Sequence, residues 1–262
     1  MTYITNKDPF LEISRGRTPG QRVVRKKGER ESFGTTVTGE DIWRGNELTP
    51  APTSHTAVPH PPDVGEQMTV VSESNADNGA TATGVLTVRI DYIDAAGAEQ
   101  TEDVTLNGTT PVNTVATDIR FVNDFYALTV GSNGVAEDHI KIYAQTDSGL
   151  VYNMIAKGGN KGLVPLWMVP LGKTLHIQSW SCGEGNNKRL TVRLRATCTP
   201  DGDTLLPGVF LFKYVAYVNQ THTGDMTVSC KVPALAIVKA SGWASAINGE
   251  VSVHWWGVLV DD

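Results

Sequence analysis

Apolar and polar residues alternate along most of this chain from Gln67 onward, which is the period of a half-buried β-strand. The clearest run covers residues 85–93, where Leu86, Val88, Ile90 and Tyr92 share one side of the pleat. The turn residues Asp94-Ala95-Ala96-Gly97 close it, residues 101–106 alternate again, and Asn107-Gly108 is a hairpin signal. Further strands are predicted near 119–122, 126–130, 140–145 and 151–156. A glycine-rich gap at 157–162 then separates two halves. Beyond it, strands are predicted at 163–169, 174–180, 189–197, 209–218, 226–232, 234–238 and 251–259. No long window has a 3.6-residue period, so at most single helical turns are expected, at 110–118 or 242–246. Short strands punctuated by turn residues predict sandwiches or jelly rolls.

The alternation fails before residue 67. Residues 1–45 are polar, glycine-punctuated and without period. Their apolar residues are thinly spaced, among them Phe10, Leu11, Ile13, Val23, Val24, Phe33, Ile42 and Trp43. A basic block, Arg15, Arg17, Arg22, Arg25, Lys26, Lys27 and Arg30, runs through them. Such a segment is read as an extended arm that orders on another protein. Residues 46–66 carry Pro50, Pro52, Pro59, Pro61 and Pro62 and are read as a semi-rigid, extended spacer. The expected organisation is therefore all-β: arm 1–45, spacer 46–66, and two β-sandwich or jelly-roll-like domains at 67–160 and 161–262. The halves share a style but no residue-level repeat.

Charge sharpens that division. The chain of 262 residues has a formal net charge of -6, yet residues 1–45 hold nine Lys/Arg against six Asp/Glu, giving +3. The remainder therefore sums to -9, and a basic tail on an acidic body fits an interaction arm. Docking of the arm in an acidic groove between partner subunits is preferred to an idle, solvated charge run and to nucleic-acid contact, the last because no aromatic residues interleave the basic block to stack on bases and the body is acidic. No membrane-spanning run of apolar residues is present, and the first residues lack the apolar stretch of a secretory leader.

The chemistry-bearing residues select no catalytic site. Cys182, Cys198 and Cys230 lie in strand-like stretches and read as free thiols, suited to a reducing cytosol. The six histidines have no metal-ligand spacing to one another or to cysteine. No nucleophile elbow, P-loop, dinucleotide fingerprint or calcium loop is found. The expectation is no enzyme, no cofactor and no metal. Trp255-Trp256 are adjacent on a strand and must point to opposite faces. One ring is expected in the core and the other in an oligomer interface, with a contact inside the chain and sugar binding by exposed tryptophans as the alternatives.

In order along the chain, Asp8-Pro9-Phe10-Leu11-Glu12-Ile13-Ser14, Gly20, Lys27-Gly28, Phe33-Gly34 and Ile42-Trp43 resemble the N-terminus of tailed-bacteriophage virion structural proteins. The stretches Glu102-Asp103-Val104-Thr105-Leu106-Asn107-Gly108 and Ile119-Arg120-Phe121-Val122-Asn123 resemble their first β-domain. Met168-Val169-Pro170-Leu171-Gly172-Lys173-Thr174 and the strand LTVRLRA at 190–196 resemble the second. Lys26-Lys27 is more basic, and the proline spacer longer, than that pattern. The resemblance implies a virion component assembled in the bacterial cytoplasm. Its arm would dock on a connector, adaptor, nozzle or major capsid protein, and the subunit would be a homo-oligomer, a homotrimer by analogy. A short fibre or fibre-base appendage is the leading role. A capsid decoration protein and a carbohydrate-binding adsorption module are the alternatives.

Overall fold

The computed structural model describes residues 8–79, 81–219 and 224–262. Strands begin well inside the segment expected to be an arm. After a short helix α1 (Pro9–Ser14) come β1 (Gln21–Phe33), β2 (Glu40–Asp41) and a 3-10 turn at Gly45–Glu47. Then follow β3 (Met68–Ser72), β4 (Asp77–Asn78), β5 (Thr81–Ala82), β6 (Val85–Asp94) and β7 (Glu99–Thr105). The first half ends with β8 (Val112–Asn113), β9 (Ile119–Val130), β10 (Ile140–Ala144) and β11 (Asp147–Ile155). The second half contains β12 (Trp167–Met168), β13 (Lys173–Glu184), β14 (Leu190–Ala196) and β15 (Leu211–Val218). It closes with β16 (Gly224–Val232), β17 (Ile237–Ala244) and β18 (Gly249–Asp261).

The protein is all-β. In the first sandwich, sheets β11-β10-β3-β8 and β7-β6-β9 share a core that includes Met68, Val88, Ile90, Phe125 and Ile140. In the second, β1-β18-β13-β16 and β12-β17-β14-β15, with β2 paired to β17, enclose Leu175, Ile177, Trp180, Val192 and Trp255. β4 and β5 form a small two-stranded hairpin of their own. Beside it, the buried Asp77 carboxylate accepts from Ser72 Oγ at 2.7 Å and from the backbone N–H groups of Val85, Glu137 and Asp138 at 2.8, 3.0 and 3.2 Å. One acid thus fixes three chain segments, because each donor would otherwise be left unpaired.

The N-terminal segment corrects the expectation of an arm. β1 is an edge strand of the second sandwich, antiparallel to β18 from Gln21 opposite Val260 to Phe33 opposite Gly249. Its inward row is Val24, Lys26, Gly28 and Arg30, all buried. Two of those four inward positions are cations, so the apolar period that marks a strand in sequence is missing. Gly28 is required there: a Cβ would lie 2.3 Å from Pro165 Cδ.

The proline segment is likewise no free spacer. It straps the two sandwiches together through a third core, in which Trp43, Leu48 and Val58 pack with Phe121, Tyr143 and Met154 of the first sandwich and with Val164 and Leu166. Trp43 Nε1 donates to His55 O at 3.0 Å, and a Cβ at Gly45 would press within 2.2 Å of the Trp43 ring. Asn123 adds a strand-like clasp: its amide donates to Met168 O at 3.0 Å, and its oxygen accepts from Met168 N at 2.8 Å.

Smaller differences have local causes. Asn107-Gly108 does turn the chain, with Gly108 at φ 60°, but β8 pairs with β3 rather than returning along β7. The turn thus passes the chain to the other sheet. Residues 110–118 contain β8 instead of a helical turn, and 242–244 continue β17. Within 163–169 only Trp167–Met168 is strand.

Candidate docking surface

Three elements build a surface at the N-terminal edge of the second sandwich. The helix α1 is short and starts at Asp8, whose carboxylate accepts from the N–H groups of Phe10 at 3.0 Å and Leu11 at 3.4 Å. This places Phe10 edge-on against Trp256 of β18, ring centroids 5.4 Å apart. Phe10 and Leu11 remain 42% and 43% exposed. In antiparallel pairing Arg25 lies opposite Trp256 and Lys27 opposite His254, so both cations share the outward face with that indole. Both are exposed, and among the described residues neither makes an ion pair. Arg15 and Arg17 share Glu12 at 3.5 Å, and Arg22 pairs with Glu99 of the first sandwich.

The residues read from sequence as one partner-binding arm therefore divide into two sets. Phe10, Leu11, Arg15, Arg17, Arg22, Arg25 and Lys27 face solvent wholly or in part. Ile13, Lys26, Arg30, Phe33, Ile42 and Trp43 are buried within their own chain and cannot meet a partner. The pair Trp255-Trp256 does split across the strand. Trp255 is fully buried, donating from Nε1 to Pro165 O at 3.2 Å, so it is no interface residue, while Trp256 is only partly covered.

The buried cations do structural work that the sequence pattern hid. Lys26, 1% exposed, donates to Asn123 O at 2.5 Å and Asp124 Oδ1 at 2.9 Å, while Lys161 holds Asp124 Oδ2 at 2.9 Å. Burial pushes the Lys26 ammonium down, opposed by Asp124. Burial would push the Asp124 carboxyl up, but the two ammoniums hold it below its ordinary value. Arg30 donates to Asp41 O at 3.0 Å and His55 O at 2.7 Å and meets Glu40 at 2.6 Å. These contacts tie β1 to the strap and to the first sandwich. A cleft of about 400 Å³ between β1 and that sandwich is lined by Arg22, Arg25, Asp91, Glu99 and Asp124.

Groups with catalytic potential are engaged elsewhere. Burial pushes the Cys182 thiol up to about 12 and the Cys230 thiol up to about 11, and burial also raises that of Cys198. Thiolates are the nucleophilic form, so none of the three is poised for attack. Glu73, Asp138 and His139 bring ligand atoms within 4.8 Å of one another. Lys141 and Lys157 approach the two carboxylates at 3.9 and 3.5 Å, and Thr49 N donates to Glu73 at 2.7 Å, so that cluster is already balanced by charge.

A second outward-facing group was touched by the sequence reading only through Trp243, one of the tryptophans weighed for sugar binding. On β14 and its neighbours, Arg193, Phe212, Tyr217 and Trp243 face outward from the second sandwich. For its other members the signal was the outward phase of the strand LTVRLRA.

No protein-family model matches this chain, and no curated protein matches it. Among solved structures, the chain is similar to "Structure of infectious bursal disease virus Gx strain" at 11% identity, over 97% of this chain and 78% of that one, with a TM-score of 0.26. It is similar to the infectious bursal disease virus VP2 subviral particle at 8% identity, with the same coverage and a TM-score of 0.23. TM-scores this low establish no common fold.

Proposed function

We propose that this chain is a structural subunit of a tailed-phage virion, seated on a larger virion protein by the outer face of α1, β1 and β18. The observation that carries the docking reading is the juxtaposition of Arg25 and Lys27, two exposed cations with no ion pair among the described residues, with the half-exposed Phe10 and Leu11 and with Trp256. Aromatic and cationic residues on a rigid strand are the composition of an interface centre. The ordered resemblance along the chain supports the virion assignment. The strap and third core are consistent with a structural role, because they pack the two sandwiches against each other.

An appendage or fibre-base position, as a homotrimer, is the preferred placement. A decoration protein would use the same face on the capsid lattice, and copy number per particle separates the two. The test is incorporation of the variant Phe10→Ser/Arg25→Glu/Lys27→Glu into particles. The variant is expected to melt like the wild type, since all three side chains face solvent, and to be missing from purified virions by quantitative mass spectrometry. Incorporation at the wild-type level overturns the docking face. Absence of the wild-type chain from virions overturns the function.

A further inference from the structure

The outer face of the sheet β12-β17-β14-β15 carries a groove remote from the N-terminal layer. On β14, Leu190, Val192, Leu194 and Ala196 point into the core, leaving Thr191, Arg193 and Arg195 outward. Register sets Thr191 opposite Tyr217 on one side and opposite Trp243 on the other. Adjacent strands lie about 4.8 Å apart, so the two aromatic residues stand about 10 Å from each other across a threonine floor. The groove has a volume of about 410 Å³, and Arg189, Asn219 and Ser245 join these three residues around it. Tyr217 is 82% exposed. The Trp243 indole is held by the Arg193 guanidinium, 4.5 Å from the ring centroid, which in turn packs 4.8 Å from the Phe212 ring. A supported indole and a freely exposed phenol therefore face one gap.

We propose that this groove binds a pyranose ring of an acidic glycan, with Tyr217 and Trp243 as walls and Arg189 as the carboxylate partner. An aromatic–ligand contact takes about 3.5–4 Å on each side, so walls about 10 Å apart accept one puckered saturated ring and hold a flat base loosely. The C–H faces of a pyranose suit two aromatic walls, and its hydroxyl edge meets Thr191, Asn219 and Ser245. Arg189 is exposed and, among the described residues, has no ion pair, so it is free to take a carboxylate in a bidentate bond.

The same features disfavour other occupants. Arg193 and Arg195 have buried Nε atoms and are packed into the sheet face, so no row of free cations follows a phosphate backbone. The eight residues that line the groove are also far fewer than the roughly 20–30 a side of a stable protein interface. This binding function is independent of the structural role proposed above.

The test uses the full chain on an array of uronate-, sialate- and neutral-hexose oligosaccharides, followed by calorimetric titration with tetragalacturonate and maltotetraose. Binding is expected to acidic probes and to be weaker for neutral ones. Tyr217→Ala should lower affinity for the acidic probe by at least about tenfold. Arg189→Gln should erase the preference for acid while leaving the neutral probe unchanged. Both residues are exposed, so both variants should melt with the wild type. The proposal is overturned if no acidic probe binds at millimolar concentration, or if binding survives both substitutions unchanged. Self-association through Tyr217 without glycan binding, read by sedimentation, overturns it as well.

Discussion

Replacing Trp43 by alanine should loosen the joint between the two sandwiches. The side chain is fully buried, in the core shared by the strap and the first sandwich. A buried tryptophan removes on the order of 200 Å² from water, which at about 25 cal/mol per Å² is worth roughly 5 kcal/mol. The alanine that replaces it recovers part of this, and the lost bond from Nε1 to His55 O adds about 1 kcal/mol. The expected loss is therefore about 4 kcal/mol, within the range for large-to-small changes at aromatic core sites. Trp43→Phe keeps most of the area and should lose about half as much. Urea denaturation followed by circular dichroism measures both. The wild type should unfold in one transition and Trp43→Ala in two, as the sandwiches part company. A loss under about 1 kcal/mol, or two transitions already in the wild type, would refute the idea that the strap unites the body.

Three further outcomes follow from buried groups. Asp77→Ala strands three backbone N–H groups and one hydroxyl, and should destabilise by about 3–4 kcal/mol in a thermal melt, with Asp77→Asn losing roughly half of that. Burial, then the nearby Lys239, pushes the His60 imidazole down to about 4 from 6.5. Between those values the unfolded chain binds the extra proton, so stability should fall by up to about 3 kcal/mol as pH drops through that window and level off below it. His60→Phe should flatten that slope. Gly28→Ala drives a methyl into Pro165 and should cost about 1–3 kcal/mol, an effect absent if β1 were a detachable arm.

The body of the fold was legible in the sequence because its strands have one dry face. The run at 85–93 became β6, and the predictions at 140–145 and 189–197 became β10 and β14. Predictions at 119–122 and 126–130 proved to be two parts of β9, a single strand with several register shifts where it meets β6. β1 was illegible for the opposite reason. Its inward row reaches polar partners rather than oil: Lys26 finds Asp124 and Asn123 O, and Arg30 finds Glu40 and His55 O. The Lys26 partners lie 97 and 98 residues along the chain, and those of Arg30 lie outside its own strand, so no local pattern could announce them. Prolines at 50–62 correctly excluded regular structure but said nothing about burial, and Val58 and Leu48 turned out to be core. For the docking surface, sequence supplied the residues Phe10, Arg25 and Lys27 but not Trp256 as their neighbour. The groove at Tyr217 needed cross-strand register, which the sequence does not carry.

Hydrogen exchange across β1 tests most directly whether the N-terminal layer belongs to the fold. In the isolated full-length protein, the amides of 22–30 that pair with β18 should be protected to the same degree as those joining β13 to β18. Exchange of 22–30 at the rate of an unstructured peptide, with β13 and β18 still protected, would contradict it.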